Sequence, residues 1–401
     1  MRRNDYSRRN RKKLRLLILK NFLHFRLYKK EHFLILMSDL KGNLGGFEKQ
    51  TALKVVINWV KKAQYTHGGF SAGYSFAKGW LPSYPETTGY LIPSLFSLGK
   101  FLSDLECCKM AHKAAMWLQI IQNKEGWYPS KYYSSDISLK PSVFNTAQIA
   151  QGLLSAYKAA KDESFLYSAC KAAKWIIAQQ EPDGFWCRWA YNNIPHTYYS
   201  RVSWILVEIG IVTENPLLIR AANKNLDWVL SQQLENGWFR NNGFLDHLKP
   251  LTHTIAYTME GILEAGILLN RIDLVESAQK AADSLLQIFK RENWLKGTYD
   301  QFLNSQDNWS CITGNAQIAL VWLRLYEIIN NREYLKAAKS LNNWLCSTQV
   351  RVNGREFPPG GLKGSHPVWG QYDPFSMPLH AAKFFIDTLL LEMTIDKNSK
   401  N

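Results

Sequence analysis

The sequence predicts an all-α fold: an (α/α)6 toroid, six helical hairpins closed into a ring, behind a basic N-terminal arm. Three observations carry that prediction. A unit made of a helix with a Trp, a Gln, a Gly-plus-aromatic turn, a polar loop and a second helix is clearest from Cys170 to Arg201, and it recurs on Trp59, Trp117, Trp228 and Trp344. The successive separations are 58, 58, 53 and 116 residues, and a degenerate copy, SLLQIFKRENW, fills the gap near residue 286. Finally, no copy reads as a polar cap: the last, AAKFFIDTLLLE, is as apolar as the middle ones, which favours a closed ring over an open helical array.

Taken in order, residues 1–48 form the arm and 49–395 the toroid, with the Gly-rich KGNLGGFEKQ between them. One series of helices is predicted at 49–64, 106–122, 164–180, 216–233, 272–290 and 333–349. Its members carry charged pairs at helical spacing, such as Lys109 with Lys113 and Lys336 with Lys339, and belong on the outside. The alternating series starts near 86, 143, 196, 252, 312 and 376. Its bodies, for example AQIAQGLLSAY and GILEAGILL, are apolar nearly all round and form the inner barrel. Inner-to-outer links are short, whereas outer-to-inner links run to about 16–27 residues and hold much of the Gly, Pro, Trp and Tyr. One rim therefore carries the long loops, where function concentrates on a rigid scaffold.

The net charge of +16 is concentrated at one end. Residues 1–30 hold 12 Lys or Arg against Asp5 alone, a net of +11, leaving +5 for the other 371 residues. The ring lacks the charge of a nucleic-acid surface, and no nucleic-acid partner is expected. The run RRNRKKLR is read either as a solvated arm or as a contact for anionic lipid, with an interfacial helix over Leu14–Tyr28 as the second possibility. The apolar run Leu16–Leu19 is too short to span a bilayer and has no small-residue cleavage site after it. Six cysteines without paired spacing fit a reducing compartment, so the expected location is cytoplasmic, with peripheral contact at the inner face of a membrane through residues 1–30.

The candidate site lies where the six inner helices begin, at YPETTGY, FNTAQI, HTYYSR, THTIAY, TGNAQI and DPFSMPLH. Thr87, Asn145, Thr252 and Thr313 are explained by N-capping alone. Capping does not call for His, Glu, Tyr or Arg, and the first turns also hold Glu86, His196, Tyr199, Arg201, His253 and Tyr257. Six positive helix ends aimed at one hollow suit an anionic ligand or transition state. His253 or His196 is the expected base, Tyr199 the acid, and Glu86 a second acid or hydroxyl ligand, since imidazole exchanges a proton near neutral pH. Arg201 is the expected clamp for a substrate carboxylate. Trp80, Tyr84, Asn145, Gln148, Tyr257, Asn315, Gln317, Trp369 and Asp373 complete the expected sugar contacts, with Trp and Tyr offering an apolar face and a polar tip to a hydroxylated ring. Glycoside hydrolysis would instead need two facing carboxylates, drawn from Glu86, Asp136, Asp183, Asp246, Asp307 and Asp373. No cofactor or metal is expected.

The Gln-x3-Gly-x-Trp of QEPDGFW resembles the repeat signature of terpenoid cyclases and protein prenyltransferases, which implies the same toroid. The strings GWLPSYPETTGYLIPSL, LTHTIAYTMEGILEAG, CITGNAQIALVWLRLYEI and GGLKGSHPVWGQYDPF resemble, over residues 59–392, uncharacterised repeat proteins of bacterial polysaccharide-biosynthesis loci. That likeness implies work beside surface-sugar assembly. Six-hairpin glycosidases, uronate lyases and sugar epimerases share the architecture. Terpene cyclisation is opposed by the absence of any Asp-Asp pair, and a prenyltransferase-like zinc site from Asp307, Cys311 and His380 or His366 departs from that family's spacing. The sequence thus points to a protein that binds and modifies a saccharide or polysaccharide, acidic in one version, by uronate lyase or epimerase chemistry or by hydrolysis. The alternatives are a non-catalytic saccharide-binding scaffold and an isoprenoid enzyme.

Overall fold

A computed structural model describes residues 20–42, 45–133, 139–244 and 246–399. The RRNRKKLR run, the Leu14–Leu19 part of the Leu14–Tyr28 segment and Asp136 lie outside them. A first helix, α1 (Lys30–Leu40), precedes twelve helices that alternate between two concentric rings. The outer ring consists of α2 (Lys49–Ala63), α4 (Leu105–Ile121), α6 (Glu163–Ile177), α8 (Pro216–Ser231), α10 (Ile272–Glu292) and α12 (Arg332–Thr348). The inner ring consists of α3 (Pro85–Leu102), α5 (Val143–Ala160), α7 (Ser200–Val212), α9 (Thr252–Leu269), α11 (Ile312–Ile329) and α13 (Leu379–Asn398). Each inner helix packs on the next and α13 returns to α3, so the barrel closes as the sequence predicts.

The two rings follow from their patterning. Along α9, nearly every residue from Thr252 to Gly266 is buried, as required of a helix covered on all sides. Along α10 only one stripe is buried, Leu274, Ala278, Ala282, Leu285 and Phe289, with Lys and Glu on the other face. Inner helices approach closely through glycine: a Cβ on Gly89 would meet the Cα of Ile149 at 2.7 Å, and one on Gly314 would meet the backbone nitrogen of His253 at 2.5 Å.

The repeat signature has a mechanical reason. Gln122 Nε2 donates to the carbonyl of Gly126 in its own turn (3.1 Å) and to the carbonyl of Ser168 on the next outer helix (2.9 Å). Gln64, Gln180 and Gln233 repeat this with Gly68 and Met110, Gly184 and Ala221, and Gly237 and Ser277. Gln349 does so with Gly360 (3.0 Å) and Ala52 (3.1 Å), clamping the last unit to the first. Each clamp ties the Gly turn of one unit to a carbonyl inside the neighbouring outer helix, so the amide end of one side chain fixes the spacing between hairpins. In the degenerate fifth copy α10 runs on to Glu292, through the position where the clamping Gln would stand.

Two small sheets reinforce the loop rim. Strand β1 (Gly73–Ser75) pairs antiparallel with β2 (Gly79–Trp80) and with β5 (Ser376–Pro378), joining the first and sixth units across the seam, while β3 (Ser310–Cys311) pairs with β4 (Ser365–His366). The described part of the arm is fastened over the same seam. His32 is buried, hydrogen-bonded to Tyr74 (3.0 Å) and stacked on Phe76, and Asp39 is ion-paired to Lys363 and accepts from the backbone of Val368 (2.7 Å). Among the described residues, no helix is long and apolar enough to cross a membrane.

Candidate active site

The inner helices begin at the long-loop rim, and five of the six have no side-chain cap. Only α5 is capped, by Ser142 accepting from Asn145 (3.2 Å). The capping account of the first turns is thereby corrected: Thr252 donates to the carbonyl of Gly297 (2.8 Å), and Asn145 donates to Tyr84 (3.2 Å) and to the carbonyl of Pro129 (3.0 Å). The helix ends enclose a bowl of about 630 Å³, with Glu86, Phe144, Tyr198, Tyr199, His253 and His380 among its walls and Lys131, Lys140 and Asp373 nearer its rim. An adjoining hollow of about 490 Å³, lined by Leu81, Tyr132 and Ser376, shares Tyr84, Lys131, Asp373 and His380 with it.

Three of these residues, Glu86, His253 and His380, are each the second residue of an inner helix, so one register places all three in the bowl. Their environments set opposite protonation states. Burial is the main force on Glu86 and pushes its carboxyl up to about 7, against hydrogen bonds from Tyr84 and Tyr90 and the charge of Arg201, which act the other way. His253 is 3 % exposed, and burial, with a smaller push from His380, holds it neutral. Burial lowers His380 to about 4. The two imidazoles stack with centroids 5.6 Å apart and planes within 12°. Tyr372 and His380 share a hydrogen bond of 2.9 Å, and Tyr257 lies 4.2 Å from His253, centroid to centroid, with its hydroxyl 2.6 Å from that of Tyr90. Asp373 sits exposed at the open mouth with φ of 44°.

Other expected contacts are placed elsewhere. Arg201 is fully buried beneath the bowl, ion-paired to Glu260 and enclosed by the rings of Tyr90, Tyr257, Phe384 and Trp204, so it is not a direct carboxylate clamp. Its Nε donates to Gln148 (3.2 Å), which is thus part of the floor. Gln317 belongs to the same floor, and Asn315 is buried against the carbonyls of Cys311 (2.8 Å) and Leu295 (3.4 Å). His196 gives up its place as a base: a 3-10 turn (Thr197–Tyr199) delays the start of α7, and His196 lies behind the wall with Nε2 on the carbonyl of Tyr191 (2.8 Å). Tyr199 reaches the wall, but its hydroxyl accepts from the backbone of Tyr191 (3.1 Å). Trp80 packs at a tilt against Trp59 and donates to the carbonyl of Glu356 (2.8 Å), while Trp369 is exposed away from the bowl.

Of the remaining carboxylates, Asp307 is occupied by the backbone and hydroxyl of Thr298, and Asp246 by the backbone of Leu248. Among the described residues, no group of three His, Cys, Asp or Glu side chains is placed to hold a metal ion. Sequence reasoning named His380 only as a zinc-ligand candidate and did not single out Phe144 or Tyr198, which also line the bowl. His380 had a signal, since it stands at the same helical position as His253.

This architecture defines a closed six-hairpin toroid with its bowl at the amino ends of the inner helices. No protein-family model and no curated protein matches the sequence. Solved structures do match its fold. The unsaturated glucuronyl hydrolase of Bacillus sp. GL1 is 14% identical with a TM-score of 0.69, covering 86% of this chain and 96% of that one. A sugar epimerase from a ruminal bacterium is 13% identical with a TM-score of 0.66, covering 85% and 97%. The cellobiose 2-epimerase of Bacillus thermoamylovorans is 12% identical with a TM-score of 0.64, covering 88% and 97%. At these identities the likeness establishes the fold.

Proposed function

We propose that this chain is a carbohydrate-active enzyme that takes a saccharide into the bowl and moves a proton at a carbon next to a carbonyl or carboxylate, as in epimerisation or elimination. The observation that carries the reading is the convergence of Glu86, His253 and His380 in one hollow with opposed protonation preferences. His253, neutral, takes the proton. Glu86, with a carboxyl that keeps its proton up to about pH 7, donates to the developing oxyanion or returns a proton. Uncapped helix ends at the bowl favour the negative charge that forms there. The hollow lies within the roughly 300–1,000 Å³ usual for ligand sites, and the resemblance of the fold to glucuronyl hydrolases and sugar epimerases supports a sugar as its content.

Hydrolysis is a second reading, favoured by one observation: Glu86, buried with its carboxyl raised to about 7, and Asp373, exposed at the mouth, face the same hollow. Incubation with uronate-terminated and neutral oligosaccharides in deuterium oxide separates the two. Epimerisation places deuterium on carbon in the product, elimination leaves a conjugated unsaturated uronate that absorbs in the ultraviolet, hydrolysis of a glycosidic bond gives a new reducing end with neither mark, and absence of any saccharide binding or turnover excludes all three.

The same reading places the protein in the cytoplasm, beside bacterial surface-polysaccharide assembly and against an anionic membrane face. The basic residues 1–30 and the exposed Leu23, Tyr28, Phe33 and Leu34 support the membrane contact, and six unpaired cysteines support the compartment. Cosedimentation with anionic but not zwitterionic vesicles is the expected result.

A further inference from the structure

The floor of the bowl holds a buried polar chain that the proton-transfer reading does not by itself require. Gln317 Oε1 lies 2.6 Å from His253 Nδ1, and Gln317 Nε2 lies 3.5 Å from Glu260 Oε2. Glu260 is ion-paired to Arg201, and Arg201 donates to Gln148. These residues come from four consecutive inner helices, α5, α7, α9 and α11, and are almost wholly screened from solvent.

Resting on the reading of His253 as the proton acceptor, we propose that Gln317, oriented by Glu260 and Arg201, is a positioning residue that fixes His253 as its Nδ1–H tautomer and turns the bare Nε2 toward the bowl. An amide has one accepting and one donating end, and an ion-paired carboxylate only accepts. Glu260 therefore takes the NH2 end of Gln317, which leaves the oxygen facing the imidazole. That oxygen only accepts, so Nδ1 carries the hydrogen. A neutral imidazole has one N–H, so its lone pair is at Nε2. With the amide reversed, its oxygen would oppose the Glu260 carboxylate in a buried setting where an unpaired polar contact is costly. Burial is the main force that keeps the ring neutral, the Arg201 charge acts the same way, and the Gln317 bond acts in the opposite direction. The groups around His253 that could titrate are His380, Tyr257, Tyr372, Cys311 and, in the same bowl, Glu86, with Arg201 below.

The test uses full-chain protein with 15N-labelled histidine, the His253 signals being assigned by their loss in His253→Asn. The wild type should show a single tautomer with a pyridine-type Nε2. Gln317→Met should leave a mixture of tautomers and lower kcat about 10- to 100-fold with KM nearly unchanged, as for other groups that orient a functional imidazole. Gln317→Glu, close in shape, should keep the Nδ1–H tautomer and shift the His253 titration upward, because a carboxylate then accepts its hydrogen. An Nε2–H tautomer in the wild type would overturn the proposal, as would a Gln317→Met protein with one unchanged tautomer and unchanged kcat. Should Gln317→Met not fold, the direction of the Gln317→Glu titration decides. The nuclear resonance result needs no substrate, so a failure of the saccharide reading would be distinguishable from a failure of this one.

Discussion

The two rims of the ring solve the same backbone problem in opposite ways. At the short-link rim, where outer helices begin, Asp104, Asp162, Asn215 and Asn331 each accept from the backbone two residues on, at 2.8–3.0 Å, closing their helix ends with local side chains. At the long-loop rim, where inner helices begin, only Ser142 does so, and the corresponding turns hold Glu86, His253 and His380 facing a hollow. A helix end with its own cap is finished structure. One whose first turn carries titratable groups and no cap leaves its partial positive charge for a ligand.

Substitutions at the two rims should therefore separate activity from stability. The largest effect is expected at the bowl: His253→Asn or Glu86→Gln should lower kcat/KM roughly 100- to 10,000-fold while circular dichroism stays unchanged. Next comes pH. With Glu86 as the acid, its working form is lost as pH rises through about 7, so kcat should fall on that side, and Glu86→Gln should remove the limb from any residual rate. The same shift enters stability. The folded state holds the Glu86 proton up to about 7 while the unfolded chain releases it near 4.5, so this contribution declines as pH rises between those values, and Glu86→Gln should flatten the decline in denaturant titrations. His380 acts in the other direction: neutral when folded, it contributes stability above about 6.5 that is lost as pH falls toward 4.

Smaller effects belong to the scaffold. Gln349→Ala removes the clamp across the seam and should cost about 1–3 kcal/mol by chemical denaturation, because two buried hydrogen bonds joining the last unit to the first are lost. Gln180→Ala, between consecutive units, should fall at the low end of that range. Asn215→Ala, at the capped rim, should cost about 1 kcal/mol and leave turnover untouched.

The ring was legible in sequence because its causes are local and repeated. Each Gln and Gly of the signature performs the same clamp, so the spacing of 58 residues survives as a visible period even where one copy has lost the motif. The bowl was legible only where a helix start could be placed to within a residue. Glu86 and His253 were found that way, while His380 was weighed only as a zinc ligand because the long loop before α13 obscures where that helix begins. Arg201, Gln148 and Gln317 show the converse limit. First-turn position reveals that a polar side chain lies near the ring axis, but whether it faces the bowl or the floor depends on helix phase, which the 3-10 turn before α7 shifts without any sign in the composition.

The most direct test is a crystal structure of the Glu86→Gln protein soaked with the oligosaccharide that most raises its melting temperature. The account predicts a sugar ring in the bowl, within hydrogen-bonding reach of His253 Nε2 and the residue 86 side chain. A sugar bound on the outer face of the ring, with the bowl filled only by solvent, would contradict it.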